Sequence, residues 1–304
     1  MTPSNVNLRP RDLIGYGINP PKVAWPDAAR VAVSFVVNFE EGAEYSIADG
    51  DSRNEAVYEA TERLESVPDY CLQSHYDYGT RAAWWRIMNL LDAHDIKCTV
   101  NACGLAVQRS PELAKDAVDR GHEISAHGWR WESHAHLDKS AEQNAIEKTV
   151  NAITEATGIP PVGWHTRSSP SSHTRSILMD RDHFIYDSDF YGDDLPVILS
   201  RPDGTPYVVL PYAFDTNDMQ FHHAPRFVSA DDFSDYVSRA FDWLWREGEE
   251  TPKMMTIGLH LRIIGRPARM WALEKIIEHI KSRGSAWITT RENIARHWLS
   301  ATDR

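Results

Sequence analysis

Two adjacent carboxylates, Glu40 and Glu41, end the apolar run Val31-Ala-Val-Ser-Phe-Val-Val-Asn-Phe39 and are followed by Gly42. At the C-terminal end of a buried parallel strand, such residues stand where acid, base or metal-ligand chemistry is done. The bland alternative is a solvated acidic turn. Two histidines repeat the placement: His127 opens His-Gly-Trp-Arg-Trp131, and His260 follows the apolar run 253–259. Each histidine alone reads equally well as a hydrogen-bonded core residue. Together with the carboxylate pair they make a hydrolytic centre. Carboxylate and imidazole also suit zinc, but a second histidine four residues after His127 is missing, because position 131 is Trp131. His134 and His136 are the nearest substitutes, in a stretch that reads equally as a solvated loop. Around this centre, Gly128 permits close backbone approach and Arg130 suits an anion or a carbonyl oxygen. Trp131 suits a pocket wall. In Thr166-Arg-Ser-Ser-Pro170, Arg167 and the backbone N–H groups around Ser168 offer a substrate contact or a plain surface turn. Asp187, Asp189, Asp193 and Asp194 surround Tyr191, either as a solvated loop or as acceptors for substrate N–H groups; Asp215, Asn217 and Asp218 extend that option.

The elements that position these residues alternate strand, polar loop and helix. Strands are expected at 31–38, 97–101, 122–127, 162–165, 183–187, 207–211, 253–259 and 286–289. Helices are expected at 81–94, 106–120, 140–157, 174–179, 233–247 and 270–282, with a surface helix or partly helical loop at 54–64. In 81–94, Trp84, Ile87, Met88 and Leu91 recur three and four residues apart, the mark of an amphipathic helix. Residues 215–230 read as a long functional loop. Residues 1–29, rich in Pro and Gly, read as an extended arm whose aromatics pack on a barrel rim or a neighbouring subunit. This alternation favours a distorted or incomplete (β/α) barrel over a doubly wound sheet. No Gly-x-Gly-x-x-Gly follows the first strand and no phosphate-binding loop occurs, so nucleotide chemistry lacks its usual support. Without an internal linker or repeat, 1–304 is expected to be one catalytic domain carrying the arm.

Composition narrows the partners. With 32 basic against 44 acidic residues the net charge is −12, which disfavours nucleic acid and anionic membranes. The three cysteines, Cys71, Cys98 and Cys103, form no Cys-x-x-Cys pair and read as reduced thiols. An apolar signal core and an 18-residue apolar run are both missing, so a cytoplasmic protein is expected.

Several stretches taken together carry a resemblance. Arg11-Asp-Leu-Ile-Gly-Tyr-Gly17, Asn38-Phe-Glu-Glu-Gly42, Tyr76-Asp-Tyr-Gly79, His127-Gly-Trp-Arg-Trp131, Asp193-Asp-Leu-Pro196, Asp215-Thr-Asn-Asp-Met219, Gly258-Leu-His-Leu-Arg262 and Gly265-Arg-Pro267 span nearly the whole chain. The sequence resembles the polysaccharide deacetylase superfamily (NodB-like, carbohydrate esterase family 4), and within it the allantoinase branch of the PuuE type. The resemblance implies a distorted (β/α) barrel, with Glu40 and Glu41 as the carboxylate pair of base and metal ligand. It places the first metal histidine at His127, the arginine-proline motif at Arg167 and Pro170, and the late catalytic histidine at His260. Trp131 departs from the deacetylase pattern, a departure shared with the allantoinase-like members. No cofactor is therefore expected; the alternative is one divalent metal such as zinc, with Glu41 and His127 among its ligands.

The two lines meet on hydrolysis of an amide C–N bond in a small cyclic ureide or imide, allantoin to allantoate first. Glu40 or Glu41 would activate water, and His260 would protonate the leaving nitrogen or steady the intermediate. His127 would orient the water or a carboxylate, Arg130 and Arg167 would hold carbonyl oxygens, and Asp189 to Asp194 would accept ring N–H groups. The alternatives are a cyclic imide, hydantoin or dihydropyrimidine hydrolase, a metal-dependent polysaccharide or chitooligosaccharide N-deacetylase, and an inactive binding homologue. The branch also implies a homo-oligomer.

Overall fold

A computed structural model of the chain describes residues 12–21, 23–56, 62–222 and 226–302. The first strand, β1 (Val31–Phe39), is buried at all nine positions, as a near-continuous apolar run in a parallel sheet requires. Its side chains alternate. Val31, Val33, Phe35, Val37 and Phe39 pack outward in the main core, while Ala32 joins an interior cluster. This alternation decides which of the two glutamates after β1 faces the barrel.

After β1 come α1 (Tyr70–Tyr78), a π-helical turn (Gly79–Ala83) and α2 (Trp84–Ala93). Then follow β2 (Thr99–Ala102), α3 (Gly104–Arg109), α4 (Pro111–Asp119), β3 (Glu123–Ala126) and α5 (Lys139–Thr157). The middle of the chain supplies β4 (Gly163–Trp164), α6 (Thr174–Met179), β5 (Tyr186–Asp187), β6 (Val197–Ser200) and β7 (Pro206–Val209). The last elements are α7 (Ala230–Glu247), β8 (Lys253–His260), α8 (Leu261–Ile264), α9 (Pro267–Arg283), β9 (Ala286–Ile288) and α10 (Arg291–Thr302).

The strands form one curled sheet in the order β6-β7-β5-β4-β3-β2-β1-β8, with β9 paired to the first residues of β1. Every pairing is parallel except β6 with β7. This is the expected incomplete (β/α) barrel. At its open seam a parallel bridge runs from Asn217 to Gly258 of β8. A Cβ on Gly258 would lie 2.4 Å from the Asn217 amide nitrogen, so the seam needs glycine there.

Several elements differ from the sequence expectation. The helix expected over 106–120 is two helices, because Pro111 lacks an N–H and holds Ser110 out of the helical region (φ −139°, ψ 62°). Helices α1 and α10 and the edge strand β6 were not anticipated. The expected loop 215–230 contains a short 3₁₀ turn, Asp218–Phe221. Part of the expected helix at 54–64, residues 223–225 of that loop, and Arg11 of the N-terminal motif lie outside the described residues. The arm packs at the amino end of the sheet: the Trp25 ring lies tilted against Trp287 at 5.8 Å and Trp298 at 5.5 Å, and its indole N–H donates to Lys253 O at 2.9 Å. Among the described residues no helix is long and apolar enough to cross a membrane.

Candidate active site

The carboxyl ends of the parallel strands converge on a cavity of about 170 Å³. Glu40 follows β1, His127 follows β3, His165 follows β4, Tyr191 follows β5, Tyr212 and Phe214 follow β7, and His260 ends β8; all line the cavity. Trp131, Arg167, Ser168, Asn38, Asn217, Met219 and Gln220 complete the wall.

Glu40 is the central group. Its Oε2 accepts from Arg262 Nη1 at 2.8 Å. Its Oε1 is buried without a hydrogen-bond partner, lying 3.5 Å from His127 Nε2 and 3.4 Å from His260 Nε2. Burial alone would raise the Glu40 carboxyl, but the positive charges of His260 and Arg262 hold it well below the usual range. Glu41, one residue on, points away from the cavity, as a one-residue step from a strand demands. It accepts from Glu40 N at 3.1 Å, from Arg262 N at 3.3 Å and from Arg262 Nη1 at 3.4 Å. Burial, with repulsion from Glu40, pushes its carboxyl up against the pull of Arg262.

His260 is clamped by Asp218. One carboxylate oxygen faces His260 Nδ1 at 2.6 Å, and the other accepts from His260 N at 2.8 Å and Ile264 N at 3.1 Å, capping the one-turn helix α8. Burial disfavours the imidazolium, yet Glu40 and Asp218 raise the His260 pKa to about 9. His260 is thus a cation at neutral pH with Nε2–H aimed at Glu40 Oε1. His127 Nδ1 faces His165 O at 2.5 Å. Because a carbonyl only accepts, this nitrogen carries the proton and Nε2 is the face turned to Glu40.

Trp131 sits between two guanidinium groups, with Arg167 3.5 Å and Arg262 4.8 Å from its ring. Arg262 also lies 4.5 Å from Tyr76. Arg167 is held by Trp131 O at 2.7 Å and Glu55 at 3.0 Å.

The other residues expected at the centre are placed differently. Arg130 grips Asp51 with both terminal nitrogens, at 2.9 and 2.6 Å, and Glu44 O at 2.6 Å, so it fixes the loop after β1 instead of lining the cavity. Pro170 is exposed and Ser168 borders the mouth with φ 55°. Asp189 is not in the cavity wall; its oxygens accept from Thr166 N and Thr166 Oγ1, both at 2.7 Å. Asp194 lines a separate cavity at the seam, with Asp215 and Trp243. His134 is buried against Glu142 at 3.0 Å and is not among the residues that line the cavity. Arg262, His165 and Tyr212 were missed as members of the centre, and Asp218 was expected only as an acceptor for substrate N–H groups. For Arg262 the signal was available: it stands two residues beyond a strand-end histidine. Asp218 reads as one more loop carboxylate until its contact with β8 is seen.

The donors present do not fit a divalent metal. Trp131 fills the place where the resemblance puts a second histidine. Arg262 already supplies a positive charge to both carboxylates, and Glu41, the expected ligand, has its oxygens engaged by Arg262 and Glu40 N. Among the described residues no group of three His, Cys, Asp or Glu could hold a metal ion.

Comparison with known proteins agrees with this fold. The family profile described as polysaccharide deacetylase matches residues 65–178. A Schizosaccharomyces pombe protein, provisionally named a polysaccharide deacetylase, is 36% identical over 95% of this chain and 96% of its own length. The chain belongs to the polysaccharide deacetylase family, hydrolases that act on C–N bonds. Among solved structures, the PuuE allantoinase is 44% identical with a TM-score of 0.92, covering 97% of this chain and 99% of its own. A probable polysaccharide deacetylase from Pseudomonas aeruginosa PAO1 is 43% identical with a TM-score of 0.91, covering 96% and 98%.

Proposed function

We propose that the protein hydrolyses the amide C–N bond of a small cyclic ureide or imide without a metal, with allantoin to allantoate as the first candidate. The observation that carries this reading is Glu40 Oε1, an unpartnered buried carboxylate oxygen facing two imidazole nitrogens at 3.4 and 3.5 Å. Those distances suit a water molecule held among the three groups. Glu40 takes a proton from that water as its oxygen attacks the carbonyl carbon. His260 Nε2–H first steadies the developing oxyanion and then passes its proton to the departing ring nitrogen, so the ring opens to a carboxylate and a free amine or amide. Asp218 keeps His260 cationic, and Arg167, at the cavity wall, would hold a substrate carbonyl oxygen.

The size of the cavity supports a small substrate: about 170 Å³ is below the ~300–1,000 Å³ typical of drug-sized ligands. The similarity to a protein titled an allantoinase supports the ureide, whereas the relatives named deacetylases keep an N-acetyl sugar as the rival. Hydantoin, dihydropyrimidine and cyclic imide rings present nearly the same amide edge and are the alternatives within the class.

The test is hydrolysis of allantoin, hydantoin, dihydrouracil, succinimide and a chitooligosaccharide side by side, by the wild type and by Glu40→Gln. Ring opening of a cyclic amide is expected, falling about 100- to 10,000-fold in the variant, the usual worth of a positioned base. Acetate release from the sugar alone would overturn the proposal.

A further inference from the structure

The cavity contains a second histidine–aspartate pair. His165 lines the cavity, and its Nδ1 lies 3.2 Å from Asp189 Oδ1, short of good hydrogen-bond alignment. Its ring is fixed on both faces: it stacks on His127 with centroids 5.2 Å apart and lies 4.2 Å from Tyr212. Tyr212 is itself tied down, accepting from Asn38 Nδ2 at 3.1 Å. Asp189 is locked by its two bonds from Thr166. A carboxylate only accepts, so the proton of a neutral His165 belongs on Nδ1. Nε2 then carries the lone pair, on a ring that lines the cavity. Burial pushes the His165 pKa down, against the pull of Asp189, and so keeps the ring neutral. The contrast with His260 is chemical: one histidine–aspartate pair presents a charged donor to the cavity, the other a neutral acceptor.

We infer that His165 Nε2 is the acceptor that reads the N–H of the cyclic amide, and that Asp189 acts through His165 as its positioning residue. The inference rests on the cyclic-amide reading and deepens it: the substrate class is a cyclic amide with an unsubstituted ring nitrogen. An acceptor buried against a bound ligand is costly to leave unpaired, so a ring nitrogen bearing a methyl group is rejected.

The experiment compares succinimide with N-methylsuccinimide, and hydantoin with its two N-methyl derivatives, on the wild type, His165→Ala and His165→Asn. The wild type is expected to favour the N–H compound of a pair by roughly 10- to 100-fold in kcat/KM, the worth of one buried unpaired acceptor. In His165→Ala the preference should collapse towards unity because the N–H compound loses rate and the methylated one does not. His165→Asn, which keeps a neutral acceptor, should retain part of the preference and guards against a variant that merely fails to fold. An unchanged preference in both variants, or an equal loss on both members of a pair, overturns the assignment. Ring opening of none of allantoin, succinimide and hydantoin by the wild type removes the cyclic-amide reading, and the assignment falls with it.

Discussion

His260 illustrates how neighbouring charge outweighs burial. Its pKa of about 9 means that it keeps its proton through neutral pH and loses it above 9. As the group that donates to the leaving nitrogen, it predicts a kcat/KM that is level through neutrality and falls above about pH 9. Glu40 is held low, so the acid-side fall lies below the ordinary carboxylate range. Asp218→Asn removes one of the two carboxylates that raise His260, and the alkaline limb should move down towards the ordinary histidine value of 6.5. A pH–rate profile of the wild type and this variant checks both points; an alkaline limb that does not move would take the imidazolium out of the chemistry. Glu40 and Glu41 could not be told apart in the sequence. Only the alternation of β1, which sets Glu40 in the cavity and Glu41 against the π-helical turn, separates them. His127 and His260 were legible because each ends an apolar run. Asp218 and Arg262 act through contacts between segments far apart in sequence, where local pattern is silent.

Helices and strands show the same division. The long apolar β1 and β8 were legible from composition, and so were α5 and α9 from their spacing. Strands β4 and β5 are two residues each, and their existence depends on neighbours in the sheet. The π-helical turn inserts an extra residue per turn, which breaks the 3.6-residue phase between α1 and α2 and hides α1 from a periodicity search. That turn has a job. A Cβ on Gly79 would lie 2.5 Å from Glu41 Oε1, so any larger residue there must push the Glu41 side chain aside. Gly79→Ala is expected to lower stability by about 1–3 kcal/mol, the usual cost of overpacking. It should also lower kcat by displacing Glu41 and, through it, Arg262. Urea unfolding alongside steady-state kinetics measures both; wild-type values for the two would show that Glu41 is not held by this contact.

In the molecule as a whole, stability and chemistry lie at opposite ends of the sheet. Trp25 bonds to Lys253, the first residue of β8, whereas His260 is the last. Seven residues of strand separate them by roughly 23 Å. Trp25→Ala should therefore cost about 3–5 kcal/mol of stability through the cavity it leaves. Below its unfolding temperature, kcat/KM should stay near that of the wild type. A lowered melting temperature with unchanged kinetics is the expected pair of results, and kinetics that fall in step would mean that the arm reaches the centre. The arm was legible in the sequence as aromatic and extended. Its docking against α10 was not, because α10 presents only a few apolar residues, Ile294, Ala295 and Trp298, to the interior.

Glu40, His127 and His260 stand at the strand ends, and where the resemblance puts a further histidine the chain has Trp131, with the Arg167 and Arg262 guanidinium groups 3.5 and 4.8 Å from its ring. The decisive measurement is ring opening of a cyclic amide by protein whose bound metal has been quantified, before and after treatment with a chelator. Full turnover at far less than one metal per chain, unchanged by chelation, is the result expected of a centre made from Glu40, His260 and Arg262. Activity that rises and falls with bound metal, and returns on adding zinc, would contradict it.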